Sequence, residues 1–427
     1  MANTQVEFCG LTFKNPVVVA SIEPTNSPAQ IKGCIDAGAA GTIVKTLTDI
    51  EDMSILTQNS RYAILNERGE IIRGKIPHHF TFYSRSGYSS TYYKDWIPHL
   101  KDCQAYAQER GAHVIGSVGA KSLESWADIA RTIEDCGIKL IELNFGCPHP
   151  AMMPGVHGGS MIGQVADVAA EVTRRVVEAV NVPIMVKLTP DQSQPLVVAR
   201  AVREAGAAAV TATNRYTGFA VDIETGEPRL DGAAGVGGPW TKPLSLRWVH
   251  EIHSKLGMPI SGSNGIFDHR DVVEFIMSGA GIVQVGSVLM IKGVKWLSKI
   301  VEGFEKFMDE KGYADVRAMH GIASRKAAGN YQHHFSKPRI HSGVMHETCK
   351  NPSCTVCIQM CFYEALSQGK NEKVGVHSDN CIGCEMCYNV CPFDSVNLME
   401  TTKDQAASGK FFGVPKDGFI HDFKKAV

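Results

Sequence analysis

The sequence predicts an α/β barrel of eight strand–helix units, (β/α)8, followed by a small cysteine-rich domain. Two observations predict it. Up to about residue 312, eight short apolar runs alternate with amphipathic stretches of helix length. Beyond that point, eight of the chain's 13 cysteines fall in two linked runs.

The candidate strands are 15–21 (NPVVVAS), 41–46 (GTIVKT), 113–119 (HVIGSVG), 140–145 (LIELNF), 183–188 (PIMVKL), 209–214 (AVTATN), 259–264 (PISGSN) and 282–287 (IVQVGS). Each is mostly apolar along its whole length, as a strand buried on both faces of a parallel sheet reads. Segments 122–136, 166–180, 192–205 and 268–278 have helical length and lie between strands, with glycine near several ends. A doubly wound open sheet is the competing arrangement. Eight units within about 300 residues favour the closed barrel.

The link between the second and third strands is too long for a simple helix. Its stretch 77–93 (PHHFTFYSRSGYSSTYY) is rich in His, Tyr and Ser. A loop of this length in a domain is more often functional than idle, and it is expected over the barrel mouth. Residues 313–345, including the basic RKAAGNYQHHFSKPRIHSG, read as a connector, 346–400 as the cysteine module and 401–427 as a tail with several aromatic residues.

The cysteine runs are Cys349-x4-Cys354-x2-Cys357-x3-Cys361 and Cys381-x2-Cys384-x2-Cys387-x3-Cys391-Pro392. The second follows the iron–sulfur spacing C-x2-C-x2-C-x3-C-P, and the first differs by one longer gap. In two-cluster domains the fourth cysteine of each run ligates the other cluster. Cys349, Cys354, Cys357 and Cys391 are therefore assigned to one [4Fe–4S] cluster, and Cys381, Cys384, Cys387 and Cys361 to the other. The implied fold is a bacterial-type ferredoxin-like domain. Structural zinc also takes paired thiolates, and disulfides are a further use of them. Eight thiolates in tandem triplets fit clusters better.

The net charge is −1, which gives no electrostatic case for nucleic acid or an anionic membrane. The opening MANTQVEFCG lacks a basic region followed by an apolar stretch. No apolar run approaches the ~20 residues that span a bilayer. Many cysteines without a leader read as metal-bound thiolates in a reducing compartment, so a cytoplasmic protein is expected.

Active sites of such barrels collect at the C-terminal strand ends. Standing there are Ser21, Lys45, Asn144, Lys187, Asn214, Gly265 and Ser287. Two lysines at strand ends are costly to bury without a partner, and an anionic or carbonyl-bearing cofactor would compensate them. A solvated lysine just past the strand is the plainer use. The endings SGSNGIFD and VQVGSV free backbone N–H groups for a phosphate, in the place where barrels often hold one. After the fourth strand, ELNFGCPHP puts Cys147 at the head of a loop of small residues (MMPGVHGGSMIG). A thiol there can give or take a proton, since its pKa near 8.5 moves easily toward neutrality. A packed loop cysteine is the alternative. His149 either shapes that loop or tunes the thiol. Cys9, Cys34, Cys103 and Cys136 read as structural.

In NPVVVAS, IVKT, ELNFGCPH, PIMVKLTPD, VTATN and VQVGS the chain resembles the flavin-binding barrel of dihydroorotate and dihydropyrimidine dehydrogenases. With the two-cluster module following, it most resembles the catalytic subunits of bacterial dihydropyrimidine dehydrogenases. The resemblance implies FMN in the barrel. Ser21, Lys45 and Thr46 would contact its ring and ribityl region, Lys187 would also contact the flavin, and the backbone at Gly265, Gly286 and Ser287 would hold its phosphate. It further implies that Asn144 and Asn214 bond a planar substrate and that Cys147 is the active-site acid. The activity implied is reduction of the C=C bond of uracil or thymine, or the reverse.

Three positions depart from that pattern. The segment HHFTFYSRSG lacks an asparagine that the family gives to the pyrimidine. Arg215 stands where the family has a small hydroxyl residue, and Gly146 replaces a serine before the cysteine. An unpaired guanidinium in a pocket is costly, so Arg215 turns outward or meets an anion. The same chemistry on a carboxylate-bearing unsaturated ring is thus a second expectation. A non-catalytic electron-transfer subunit is a third, against which Cys147 and both asparagines speak. No G-x-G-x-x-G follows a strand, so electrons are expected from an NAD(P)H-oxidising flavoprotein subunit or from ferredoxin, in a homo- or hetero-oligomer.

Overall fold

Eight runs of buried, largely β-branched residues pair in parallel and close on themselves. The computed structural model describes residues 2–149, 158–192, 194–328, 340–344, 349, 354–368, 374–377 and 380–400. The barrel strands are β1 (Val17–Val19), β2 (Gly41–Ile43), β3 (His113–Val118), β4 (Ile141–Asn144), β5 (Ile184–Lys187), β6 (Ala209–Ala212), β7 (Ile260–Ser263) and β8 (Ile282–Val285). Each pairs with its sequence neighbours, and β8 returns to β1 through Val283↔Val17. The closed barrel expected from the eight apolar runs is what the chain forms.

The principal helices around it are α1 (Pro28–Asp36), α2 (Ile97–Gln108), α3 (Leu123–Glu134), α4 (Ala166–Val177), α5 (Pro195–Glu204), α6 (Lys242–Leu256), α7 (His269–Ser278) and α8 (Trp296–Lys311). Their starts are set by side-chain caps where the chain supplies them: Ser27, Ser122 and Asp268 each accept from first-turn N–H groups. Gly257 and Gly279 end α6 and α7 in the left-handed conformation that glycine adopts without steric cost. Packing then fixes the loops that carry chemistry. Trp126 of α3 meets Phe145 edge-on, with ring centroids 5.4 Å apart. Burying two such rings is worth several kcal/mol by the usual ~25 cal/mol per Å2. Phe145 directly precedes Gly146 and Cys147, so this contact anchors the start of their loop.

The stretch expected as a loop over the mouth is partly a strand. Thr81–Arg85 pairs with Arg61–Leu65 on one side and Ala234–Gly237 on the other, and Tyr216–Gly218 completes a four-stranded antiparallel sheet. Two insertions, after β2 and after β6, thus build one sheet at the C-terminal end of the barrel.

The chain divides into two units, Met1–Ala328 and Gly329–Val427. The stretch read as a connector is shared between them. Short helices Val316–Met319 and Ile322–Ala328 belong to the first unit, while Ile340–Val344 pairs antiparallel with Val396–Glu400 in the second. The second unit also has the ladder Leu366–Gln368 with Val374–Val376 and short helices Val356–Gln359 and Met386–Val390. Residues 150–157 of the loop after Cys147, and the tail 401–427, lie outside the described residues. No helix among the described residues is long and apolar enough to cross a membrane.

Candidate active site

A cavity of about 900 Å3, open at its mouth, lies at the C-terminal strand ends. The eleven barrel residues expected to hold cofactor or substrate or to act as the acid all line it: Ser21, Lys45, Thr46, Asn144, Cys147, Lys187, Asn214, Arg215, Gly265, Gly286 and Ser287.

Its floor is charged. Lys187 ends β5 and is buried, with Nζ 2.8 Å from Gln284 Oε1 and 3.7 Å from Glu142 Oε1. Glu142 is fully buried; its Oε2 accepts from Thr211 Oγ1 and Gln284 Nε2, each at 2.7 Å. Burial pushes the Lys187 ammonium pKa down, and Glu142 opposes that shift. Such polar residues replace the branched apolar layer that usually fills a barrel. Neither Glu142 nor Gln284 was legible as a site residue, because each looks like one polar residue in an ordinary strand.

Beside the lysine runs a chain of neutral groups. Thr46 Oγ1 lies 3.1 Å from Ser21 Oγ and 3.0 Å from Ser117 Oγ, and accepts from Asn144 Nδ2 at 3.0 Å. Asn144 Oδ1 in turn accepts from Asn214 Nδ2 at 3.1 Å. The parallel register places Asn144 opposite Lys187. Gly146, the departure before the cysteine, now has a reason: a Cβ there would stand 2.5 Å from Asn214 Cβ.

Lys45, buried at the end of β2, pairs with Glu23 Oε1 at 2.9 Å. The same oxygen accepts from Tyr62 Oη at 2.7 Å and, more closely, from Ser86 Oγ. Burial alone would raise the Glu23 pKa. The Lys45 charge and the donors of Ser86 and Tyr62 overcome it and hold the carboxyl well below its usual range. Tyr62, by burial and by this carboxylate, is pushed up to about 12.

Cys147 is buried against Ile50, Met53 and Tyr88. Burial raises its pKa, opposed by the charges of Arg215 and Lys45. Among the described residues Tyr88 Oη has no well-formed hydrogen bond, yet it lies near enough to the thiol that each affects the other's titration. His149 is buried, and burial with the charges of Arg215, Arg85 and Lys45 lowers its pKa to about 3. It is thus a neutral acceptor, taking the Ser86 N–H at 3.4 Å. Its ring shapes the loop, while its backbone N–H acts on the Cys147 thiol and lowers that pKa.

Arg215 lines the cavity half-buried and donates to Ser84 Oγ. Among the described residues no carboxylate lies within ion-pair distance of it. Its room comes from Gly235, where a Cβ would stand 2.7 Å from the guanidinium carbon.

The residues fit a phosphorylated, planar cofactor. Two buried cations and a row of donors face one cavity, and Gly286 leaves space where a Cβ would make only ordinary contacts, with Ala20 at 3.8 Å and Ile22 at 3.9 Å. In the second unit, Cys361, Cys381, Cys384 and Cys387 line one cavity of about 300 Å3. Cys357 stands close enough to Cys391, Cys354 and Cys387 for their charges to act on it. No three His, Cys, Asp or Glu among the described residues converge on a single-ion site. A [4Fe–4S] cluster needs no such convergence, since each thiolate binds a different iron. Cys349 is half-buried in the same unit.

A barrel with this mouth, followed by a cluster-type cysteine domain, defines an electron-transferring oxidoreductase of the flavin-barrel class. The dihydroorotate dehydrogenase family profile matches residues 77–308, more than half of the chain, and a 4Fe-4S binding domain profile matches residues 374–396. The chain belongs to the dihydroorotate dehydrogenase family. It is 38% identical over 212 residues to the dihydroorotate dehydrogenase B (NAD(+)) catalytic subunit of Methanothermobacter thermautotrophicus, covering 49% of this chain and 68% of that one. The corresponding subunit of Pyrococcus furiosus is 29% identical over 322 residues, 75% of this chain and 99% of its own. Dihydroorotate dehydrogenase A (fumarate) of Lactiplantibacillus plantarum is 29% identical over 332 residues, 75% and 98% of the two chains. The two profiles support the wider resemblance to a dihydroorotate dehydrogenase barrel with an iron–sulfur domain, and the relatives do not single out dihydropyrimidine dehydrogenase. The family implies FMN as cofactor, and the second profile implies a 4Fe–4S cluster.

Proposed function

We propose that this chain interconverts a C=C bond and the corresponding CH–CH bond in a pyrimidine-type ring, with FMN in the barrel and two [4Fe–4S] clusters in the second unit. The observation that carries the reading is the convergence of one buried thiol and a cross-bonded pair of amides on a cavity floored by Lys187. Ser21, Lys45, Thr46 and Lys187 would hold the flavin ring and ribityl region, and the backbone of Gly265, Gly286 and Ser287 its phosphate. When bound, FMN supplies the hydride chemistry. Asn144 and Asn214 orient the planar ring by bonding its amide edge. Cys147 Sγ gives a proton to the ring carbon next to the one that gains hydride, or takes it back in the reverse direction. A thiol whose burial raises its pKa holds its proton at neutral pH, which suits the reducing direction. Electrons reach the clusters from an NAD(P)H-oxidising flavoprotein subunit or ferredoxin.

A second reading concerns the substituent on the ring. Arg215 faces the cavity with no carboxylate partner among the described residues, so a substrate carboxylate would complete it. Relatives named for dihydroorotate, a carboxylate-bearing ring, support this reading over plain uracil or thymine. The test is anaerobic: dithionite-reduced protein is mixed with orotate, uracil or thymine, and re-oxidation is followed by flavin absorbance. Re-oxidation by none of the three would overturn the pyrimidine reading. Arg215→Ala is expected to raise KM at least tenfold for a carboxylated ring and leave uracil turnover unchanged. Efficient uracil turnover by the unaltered protein with no response to orotate would remove the carboxylate reading.

A further inference from the structure

One hydroxyl stands among the thiols of the second unit. Ser342, on the strand Ile340–Val344, is only 4% exposed. Its Oγ is 2.8 Å from Cys387 Sγ, and its backbone N–H donates to Cys381 Sγ at 3.5 Å. The antiparallel ladder holds it there, opposite Leu398. It lines the same cavity as Cys361, Cys381, Cys384 and Cys387.

One backbone hydrogen bond repeats in the two thiol runs. Four residues past the end of each run a backbone N–H turns back onto the last cysteine: Ala365 to Cys361 at 3.3 Å, and Ser395 to Cys391 at 3.2 Å. Each follows a residue with positive φ, Glu364 (53°) and Asp394 (48°), so the two turns are equivalent. Because Cys361 and Cys391 serve opposite clusters, each cluster receives one such bond. The Ser342 bonds break that equivalence. Both fall on the set Cys361, Cys381, Cys384 and Cys387, and among the described residues no side-chain hydroxyl is bonded to Cys354, Cys357 or Cys391.

We propose that Ser342 sets the two clusters at different reduction potentials by raising the potential of the one held by Cys361, Cys381, Cys384 and Cys387. This rests on the two-cluster reading above. A ligating thiolate has no proton to give, so the hydroxyl must be the donor. Reduction adds negative charge that spreads onto the sulfurs, and a donor bonded to sulfur stabilises the reduced form more than the oxidised one. Burial strengthens the bond, because little water competes. An electron shared between the two clusters therefore resides mainly on the Ser342 side.

The experiment is a potentiometric titration of the anaerobically purified full chain, followed by electron paramagnetic resonance, with iron and sulfide assayed on the same sample. Ser342→Ala is expected to keep full iron and move the midpoint of one cluster to lower potential, leaving the other in place. Ser342→Thr, which keeps the hydroxyl, is expected to titrate as the unaltered chain. Should Ser342→Ala assemble poorly, Ser342→Cys keeps a weaker donor, and a smaller shift of the same cluster is expected. Two unmoved midpoints in a fully loaded variant would overturn the proposal while leaving the clusters standing. Iron sufficient for fewer than two clusters in the unaltered chain would instead overturn the two-cluster reading, and the proposal with it.

Discussion

The barrel and the cysteine unit hold themselves together by different means. The barrel buries one continuous apolar cluster that runs from Val6 to Met319 and draws on all eight strands. Among the described residues, the cysteine unit buries only Leu366, Val374, Cys387 and Val396 together, and one of these is a thiol. A core of that size does not offset the conformational entropy of ordering its chain. On the cluster reading, metal–thiolate bonds would supply the rest, as in small metal domains whose binding free energy is their folding free energy. The barrel holds charged groups such as Lys187 and Glu142 within a large core of its own, whereas the cysteines of the second unit would serve its fold as well as its clusters.

The largest effect should come from removing iron. Anaerobic chelation is expected to make the segment after Ala328 sensitive to brief proteolysis while the barrel stays resistant, as read by mass spectrometry of the fragments. Equal resistance of both units without iron would break the comparison. Next is Cys147→Ala, for which turnover should fall by about 10²–10⁴, the usual worth of general acid catalysis, with flavin and iron contents unchanged. Turnover within a few-fold of the unaltered chain would remove the acid role.

A smaller effect separates the units by pH. His149 has its pKa lowered to about 3 from the ordinary 6.5. Below pH 6.5 the unfolded chain therefore takes up a proton that the folded barrel does not. Stability is lost as pH falls through that value, and nothing is lost above it. Between pH 7 and pH 5 the loss from this residue is about 2 kcal/mol. His149→Gln should remove it, measured as the difference in urea midpoint of the barrel transition at the two pH values. Glu23 titrates in a lower window. With its folded pKa depressed, its stabilisation is complete above the ordinary carboxylate value and is lost only as pH falls beneath it. The smallest effect is Asp268→Ala at the start of α7, where losing two accepted N–H bonds should cost about 1 kcal/mol in the barrel transition and nothing in cluster potentials.

Much of the barrel was legible in the sequence. Runs such as VVV at 17–19 and IMVK at 184–187 are buried on both faces, so their apolar character is continuous and visible. The sheet over the mouth was not. Its strands come from two insertions, and the pair Gly235↔Ser84 joins positions about 150 residues apart, with no local signal in either. The same holds for parts of the site. Lys45 and Lys187 announce themselves as cations in apolar strands. Glu23 gives no such sign, since a glutamate before a proline reads as an ordinary loop residue. Its significance lies in Lys45, Tyr62 and Ser86, which tertiary structure brings to it. Ser342 was hidden for a similar reason, in a stretch that read as connector.

Gly235 touches no expected ligand, yet it bears on position 215. A Cβ at 235 would stand 2.7 Å from the guanidinium carbon, which is the mobile end of a flexible side chain. A larger residue there is met by moving the guanidinium aside, so the glycine sets where the Arg215 charge rests rather than whether an arginine can be present. Gly235→Ala should therefore shift that charge within the cavity while the barrel stays folded.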